Sequence, residues 1–262
     1  MAALPKISIV IPSFNKVDFI GSTFQSIIDQ KYPNLEVIIR DGGSNDGTQE
    51  VIKKYAQKYP KLISWLEKRG EGQKDAINKG LKEVSGEILT YLNADDVYQD
   101  GVLREVGEYF AKHPNTLWLA GRGKTIDENG NEIASWVDSY KNYLLKLNNY
   151  SWLLCVNYLF QPSVFLSKSA YKNYGPFTGT ATGVTEYEMW LRLGKAKMPK
   201  ILDNVLSGFR LSRGSISTTE FKKILFEDEK IVEKHTSNQV ILMLHYLHNL
   251  GRIITLNILG IR

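Results

Sequence analysis

Cysteine is nearly absent from this chain of 262 residues: Cys155 stands alone. A single thiol excludes an intramolecular disulfide framework and a cysteine-based zinc site, and it favours a reducing, cytoplasmic setting. The expectation for Cys155 is a buried, inert thiol. Histidine is scarce too. His113, His235, His245 and His248 lie outside every motif described below, and only His245 and His248, at i and i+3, are close in sequence. All four are read as surface or interface residues. Long apolar runs are missing: the opening "ISIVIP" is short and stops at Pro12, so no secretory signal is expected. No window offers the roughly 18 uninterrupted apolar residues of a bilayer-spanning helix, so the chain is expected not to span a membrane. Lysines and arginines are scattered, so the net charge of +5 marks no nucleic-acid footprint. Mild basicity suits anionic substrates or an anionic membrane surface. Several catalytic signatures are absent as well. There is no G-x-G-x-x-G fingerprint, no full G-x-x-x-x-G-K-[ST] phosphate loop, no G-x-S-x-G elbow and no cysteine–histidine nucleophile site.

What remains is an ordinary globular composition, 43% apolar and 23% charged, enough for one large α/β domain with or without a small appendage. The first half alternates two periodicities. "KISIVIPSF" is a β-branched run of the kind a buried parallel strand shows, and "LEVIIR", "KLISWLEK" and "EILTYLN" read as further strands. Between them Phe19, Ile20, Phe24, Ile27 and Ile28 recur at helical spacing, as do Val51, Ile52, Tyr55 and Tyr59. "KDAINKGLKEVSG" reads as another helix, ended by Gly86. This alternation predicts a mostly parallel sheet covered on both faces, in which ligands sit beyond the carboxyl ends of the strands. The second half is less regular. "WLAGRGKTIDENGNEIASW" predicts two strands about a "DENGN" turn, "TEYEMWLRLGK" a short helix, and the chain beyond about Ser217 an amphipathic helical region. The expected organisation is an α/β domain over 1–217 and a helical extension over 218–262.

Two turns follow strands in this scheme, and both point to one site. In "DGGSNDGT" Asp41 comes directly after a strand, where its carboxylate can accept hydrogen bonds from a base N–H or a sugar hydroxyl. The same string is equally well a tight turn in which Asp46 or Thr48 caps the next helix. In "TYLNADDVYQDG" Asp95 and Asp96 stand at the end of another strand. Hard divalent cations take oxygen ligands, and Mg²⁺ typically uses one or two protein carboxylates beside substrate phosphates. The alternative, an aspartate cap for "GVLREVGEYF", is better filled by Asp100, which leaves the pair for a cation. "KRGEGQKDAINKG" offers Gln73, Asp75, Asn78 and Lys79 as polar wall groups. Asp75 and Lys79 also suit an i,i+4 pair on a solvated helix face, and that reading is favoured. In "TEYEMWLRL" Thr185 as N-cap and Glu188 three residues on make a capping box, Glu188 suits an i,i+4 pair with Arg192, and Tyr187, Trp190 and Leu191 form the buried stripe. Glu186 is the acid left free for general-base work.

Taken together, "ISIVIPSFNK", "VIIRDGGSNDGT", "GQKDAINKGL…SGEILTYLNADD" and "TEYEMWLRL", in this order and spacing, resemble glycosyltransferase family 2, inverting enzymes of the GT-A fold. The resemblance covers about residues 6–217. It implies a Rossmann-like, mostly parallel sheet flanked by helices. It also implies a nucleotide-sugar donor, with uridine or deoxythymidine diphosphate as the nucleotide, and a glycan or lipid-linked glycan acceptor in surface-polysaccharide synthesis. Mn²⁺ or Mg²⁺ is the implied cofactor. Carried over residue by residue, Pro12 and Ser13 lie near the nucleotide, Asp41 contacts its base, and Gln73 and Asp75 join the donor-binding set. Asn93, Ala94 and Asp95 occupy the motif that holds the donor, with Asp95 as metal ligand and Asp96 a further member. Glu186 is the general base, Glu188 its alternative, and Gln161 of "QPS" belongs to an acceptor-side loop.

Three departures mark this chain. Asn93 stands where the family usually has Asp, Glu186 where Asp is commoner, and Ser212 in "FRLSRGSIS" where a His is frequent. Arg210 and Arg213 offer guanidinium groups to offset the lost phosphate contact. Two rival readings stay open: a non-catalytic sugar-nucleotide or glycan-binding protein, and a nucleotidyltransferase, although the first strand lacks the Gly-rich basic loop expected there. The tail "QVILMLHYLHNLGRIITLNILGIR" has few charges and Gly251 in its middle. It is read either as a helix lying on a membrane or as one packed on the domain or a second copy. The expected location is cytoplasmic, at the inner face of the cell membrane if the tail touches lipid.

Overall fold

The structure, a computed structural model, describes residues 3–179, 184–212 and 221–258. Its first half follows the predicted alternation. β1 (Ile7–Ser13), β2 (Leu35–Asp41), β3 (Ile63–Glu67) and β4 (Ile88–Tyr91) are parallel neighbours in the order β3-β2-β1-β4. Helices α1 (Val17–Ile28), α2 (Thr48–Lys58) and α3 (Gln73–Glu83) follow the first three strands. β1 is buried along its whole length, which is why it reads as an apolar run rather than an alternating one. Its successive side chains point to opposite faces. Ile9 and Ile11 pack in one core cluster with Ile20 and Phe24 of α1, and Val10 joins a second cluster with Ile77 and Leu81 of α3.

Pro12 ends the apolar run without breaking a ladder. The Val10 carbonyl accepts from Leu92 N at 2.9 Å, so Val10 and Pro12 present their backbone groups towards β4, whose pairing stops opposite Val10 at Tyr91. The missing N–H of Pro12 faces a side where the ladder has already ended. There the sheet parts.

The second half comprises β5 (Val97–Tyr98), α4 (Val102–Lys112), β6 (Trp118–Ile126), β7 (Glu132–Ile133), α5 (Ser135–Leu147) and α6 (Tyr150–Cys155). A 3₁₀ turn (Gln161–Ser163), β8 (Val164–Ser167), α7 (Lys168–Tyr174), α8 (Thr185–Ala196), β9 (Lys200–Arg210), α9 (Phe221–His235) and α10 (Gln239–Ile258) complete it. β6 and β7 pair antiparallel about the "DENGN" turn, as expected. Beyond β4 the sheet continues β8-β6-β9-β5. β8 runs against both β4 and β6, β6 and β9 are parallel, and β5 reverses against β9.

Several local expectations fail, each for a visible reason. α4 starts after Gly101, whose left-handed φ of 78° turns the chain, and no side chain, Asp100 included, caps it. α8 starts at Thr185 itself, after Val184, without a side-chain cap, so the capping box does not form; Glu188 is drawn instead to Arg192 at 2.8 Å. α3 ends at Glu83, ahead of Gly86. Gly86 permits close approach, since a Cβ there would stand 2.4 Å from Ser8 Oγ. Lys79 pairs with Glu71 at 2.8 Å rather than with Asp75. His245 is buried, not on the surface: Asn249 Nδ2 donates to its Nε2, so its Nδ1 carries the proton and donates to the Cys155 carbonyl, both at 3.1 Å. Cys155 is buried, and burial pushes its thiol up, which suits the inert role expected.

Candidate active site

The carboxyl ends of β1, β2 and β4 open into a cleft of about 420 Å³. The β1–α1 turn contributes residues 12–16, the end of β2 Arg40, the loop into α3 Glu71 and Gln73, and the chain leaving β4 Asn93, Ala94 and Asp95. The far wall comes from Gln161, Glu186 at the start of α8, and Phe209 and Arg210 at the end of β9. The β1–α1 turn is held across to the β2–α2 loop. Asn15, at a left-handed φ of 49°, donates its N–H to Ser44 Oγ at 2.9 Å and accepts from Asn45 N at 3.0 Å. Lys16 N donates to Thr48 Oγ1 at 2.8 Å. Ser13 Oγ, in contrast, is buried on the cleft wall without a partner among the described residues.

A chain of amides crosses the cleft floor. Gln161 Nε2 donates to the Tyr91 carbonyl at 2.8 Å, which leaves Gln161 Oε1 to accept from Asn93 Nδ2 at 3.3 Å. Asn93 Nδ2 also donates to Asp96 Oδ2 at 3.1 Å, and Asn93 Oδ1 accepts from Gln73 Nε2 at 2.7 Å. This explains asparagine at position 93. A carboxylate there would offer no donor to Asp96 and would add a like charge beside it.

The two aspartates do different things. Asp96 is buried, accepts from Arg210 N at 2.8 Å, and has its own carbonyl bonded by Thr23 Oγ1 at 2.8 Å. Burial, and then the charge of Asp95, push its carboxyl well above the usual range. It locks the loop. Asp95 opens onto the cleft, with Oδ2 2.6 Å from Lys16 Nζ. Arg210 Nε donates to the Asp95 carbonyl at 2.8 Å, and one terminal nitrogen donates to the carbonyls of Asp127 at 2.7 Å and Glu128 at 2.9 Å. Its guanidinium thus braces the loop as well as lining the cleft. Arg213 lies outside the described residues, and Ser212 is buried.

On the cleft wall, Arg40 grips Glu71 bidentately at 2.8 and 3.1 Å and reaches Glu83 at 2.8 Å. The Arg40 hydrogen bonds hold the Glu71 carboxyl below its ordinary value despite burial. Asp41 is fully buried and taken up by its own loop: Oδ1 accepts from Gly43 N, Ser44 N and Gln49 Nε2 at 2.8–3.0 Å, and Oδ2 from Ser44 Oγ at 2.6 Å. Asp75 is exposed on the first turn of α3, off the cleft wall. Asn78 clamps the backbone of Phe177, with bonds of 2.8 and 2.9 Å.

The two glutamates of α8 also separate. Glu186 lines the cleft, and burial raises its carboxyl above the ordinary value; its own N–H opposes this, the charge of Asp228 adds to it, and Thr185 and Lys141 pull it down. Glu188 lies off the cleft wall. Burial alone would raise it, but the His235 ring 3.8 Å away, a hydrogen bond from Thr178 and the guanidinium of Arg192 hold it down to about 2. A carboxylate committed to three partners is a poor proton acceptor; one raised by burial on a cleft wall is a good one.

A family model described as Glycosyl transferase family 2 matches residues 8–175. The chain belongs to that family. Among its relatives, the β-1,3-glucosyltransferase WfgD of Escherichia coli, described as acting from UDP-Glc on α-D-GlcNAc-diphosphoundecaprenol, is 24% identical over 83% of this chain and 82% of its own length. The putative teichuronic acid biosynthesis glycosyltransferase TuaG of Bacillus subtilis is 32% identical over 54% of this chain and 59% of its own. Several other curated relatives are longer: the match spans 47% of the Nostoc glycosyltransferase alr2836 and 12% of the Bacillus subtilis teichoic acid protein GgaB. Among solved structures, the mannosyltransferase PcManGT of Pyrobaculum calidifontis, in complex with GDP-Man and Mn²⁺, superposes with a TM-score of 0.72 at 17% identity over 94% of this chain and 71% of its own. Staphylococcus aureus TarS 1–349 with UDP gives 0.62 at 18% over 86% and 65%. At such identities the likeness shows the fold, and the fold is GT-A.

In this chain the cleft gathers Pro12, Ser13, Gln73, Asn93, Ala94, Asp95, Gln161, Glu186 and Arg210 from the sequence-based set. It leaves Asp41, Asp75, Asp96 and Glu188 off its lining. Lys16, Arg40 and Glu71 were missed as site residues. The available signal was a charged residue at the end of the apolar strand "LEVIIR" and a lysine after "PSFN". The residues present fit a divalent cation of modest protein coordination. Among the described residues no cluster of three His, Cys, Asp or Glu side chains forms a closed metal cage. One cleft-facing carboxylate that already bears a cationic group, at Asp95, suffices for an ion held mainly by phosphate oxygens.

Proposed function

We propose that this glycosyltransferase moves a sugar, with inversion, from a nucleoside diphosphate sugar, a UDP-sugar first, to a hydroxyl of a glycan or lipid-linked glycan in surface-polysaccharide synthesis. The observation that carries this reading is that Glu186 and Asp95 line the same cleft at the strand carboxyl ends, one raised by burial and the other bearing a cation. Structural neighbours hold GDP-Man, UDP and UDP-GlcNAc, which supports the donor class. Ser13 Oγ, buried and unpaired among the described residues, is available to the nucleotide, and the Gln73–Asn93–Gln161 chain keeps the floor of the donor site rigid. Glu186 accepts the acceptor hydroxyl proton as that oxygen attacks the anomeric carbon from the face opposite the diphosphate. Mn²⁺ or Mg²⁺ bound at Asp95 would stabilise charge developing on the leaving diphosphate. A purely binding role is disfavoured, because a part-buried acid on the cleft wall, with Thr185 Oγ1 at 3.4 Å as a weak partner, has a cost that binding alone does not explain. Thermal shift against UDP-, GDP- and dTDP-sugars with Mn²⁺ tests the donor. UDP-sugars should stabilise the wild type and lose that effect in Asp95→Asn; stabilisation by none of them would contradict the proposal.

The acceptor reading extends to a lipid surface. α10 packs its polar side chains inward: His245 bonds Cys155, and Arg252 pairs with the buried Asp228 at 2.7 Å. Its outward stripe is Val240, Met243, Leu247, Leu250 and Ile254, spaced by three and four, with Leu247 52% and Ile254 60% exposed. α5 shows a second outward stripe, Trp136, Tyr140, Tyr143 and Leu147, and Trp152 of α6 is exposed too. The three helices touch, through Tyr140 against His248 and Cys155 against His245. None of their described carboxylates faces out, because α5 carries only the buried Asp138 and the other two have none, while Lys146 is exposed. An apolar, Trp- and Tyr-rich face without exposed acids suits an anionic bilayer surface. No described helix is long and apolar enough to cross a membrane. Flotation with anionic liposomes tests this; association as a dimer without flotation would place a second copy on the face instead.

A further inference from the structure

We propose that Lys16 is a built-in counter-ion that competes with a divalent cation for Asp95 and so makes cation binding depend on the donor diphosphate. The proposal rests on the reading of Asp95 as the cation-bearing carboxylate of the donor site. The main chain at Lys16 is fixed by the bond to Thr48 Oγ1 at 2.8 Å, and its neighbour Asn15 is tied to Ser44 and Asn45. Only the side chain is left to move. It spans from α1 to the NADD loop and seats its ammonium 2.6 Å from Asp95 Oδ2, with the lysine side chain 25% and the aspartate 12% exposed.

Among the described residues no other cation is found on that carboxylate: Arg210 reaches the Asp95 carbonyl, and the Asp96 carboxylate is held by Arg210 N and Asn93. A divalent ion arriving alone therefore meets a neutralised Asp95 and a positive charge within a few ångströms, in a part-buried cleft where such repulsion is poorly screened. A diphosphate changes the balance. It brings anionic oxygens within reach of a flexible ammonium, which can leave Asp95 for phosphate as the ion takes its place. Coupling of this kind is reciprocal, so ion and diphosphate each strengthen the other. Without Lys16, the ion needs no such help.

The test is Mn²⁺ binding to the full chain, followed by the electron paramagnetic resonance of free Mn²⁺, with and without UDP. Wild type, Lys16→Met, Lys16→Arg and Asp95→Asn are compared. Lys16→Met should bind Mn²⁺ alone about two- to fivefold more tightly than wild type, the scale of losing one part-exposed competing ion pair. The enhancement by UDP should shrink by a similar factor, and Lys16→Arg should resemble wild type. Equal Mn²⁺ affinity and equal UDP enhancement in wild type and Lys16→Met, with binding lost in Asp95→Asn, would overturn the counter-ion role and leave the cation site standing. Undiminished binding in Asp95→Asn would overturn the site, and the proposal with it.

Discussion

In the cleft beyond β1, β2 and β4, polar side chains turn inward and pair with one another; among the described residues Ser13 Oγ and Glu186 are left to a ligand, and the Asp95 carboxylate faces it with Lys16 already bound. On α10 polar side chains also turn inward, His245 to Cys155 and Arg252 to Asp228, yet the helix shows its apolar stripe to the outside. The cleft uses buried polarity to aim chemistry at a small polar molecule. α10 uses it to hold the helix in place, which frees the apolar side chains for another phase. The same burial of polar groups therefore serves recognition in one region and attachment in the other.

The largest expected effect lies in the cleft wall. Arg40→Met leaves Glu71, whose side chain is 2% exposed, as a buried carboxylate without its main partner. Breaking such a pair costs about 3–5 kcal/mol, readable as a lower midpoint in urea. An unchanged midpoint would mean that the cleft walls do not depend on this network. Next comes the outward stripe. Changing Met243, Leu247 and Leu250 together to Ser should reduce liposome partitioning by at least about tenfold. Stability should stay within about 0.5 kcal/mol per site, because these side chains face outward. A large loss of stability instead would show that the stripe is packed and the contrast between the regions is false.

The inner cleft was legible in sequence where strand ends announce themselves. β1, β2 and β4 are apolar runs because both faces of the sheet are covered, so Pro12, Ser13, Asn93 and Asp95 could be placed at their tips. Asp41 shows the limit: its position was right, but turn chemistry claims its carboxylate for Gly43, Ser44 and Gln49. Lys16 and Arg40 escaped because the reach of a long charged side chain is decided by tertiary partners, Asp95 and Glu71. The polar spacing of His245, Asn249 and Arg252 is visible in the sequence. Which stripe of α10 faces inward is decided by Cys155 and Asp228, far off in the chain.

Two finer measurements sharpen the cleft side of the comparison. Asn93→Ala removes bonds to Gln73, Asp96 and Gln161, and should weaken UDP binding by about tenfold, given about 1 kcal/mol per hydrogen bond and partial compensation by water. If it abolishes Mn²⁺-dependent binding as fully as Asp95→Ala, the division between donor contact and cation ligand is wrong. The smallest effect is one of stability against pH. Burial raises the Glu186 carboxyl above the ordinary value of 4.5 in the folded protein, so the folded state holds that proton more tightly than the unfolded chain does. Stability from the neutral acid is present below the ordinary pKa and is lost as pH rises from there through the raised value. Glu186→Gln should therefore melt higher than wild type at neutral pH, with the difference vanishing in acid.

The most direct test of the central assignment is the same Glu186→Gln variant in turnover, measured as UDP released from a UDP-sugar that stabilises the wild type, with donor affinity measured alongside. A lost general base predicts a fall of about 10²–10⁴ in turnover with donor affinity unchanged. Turnover near the wild-type value, at equal donor affinity, would contradict the role of Glu186 as the base.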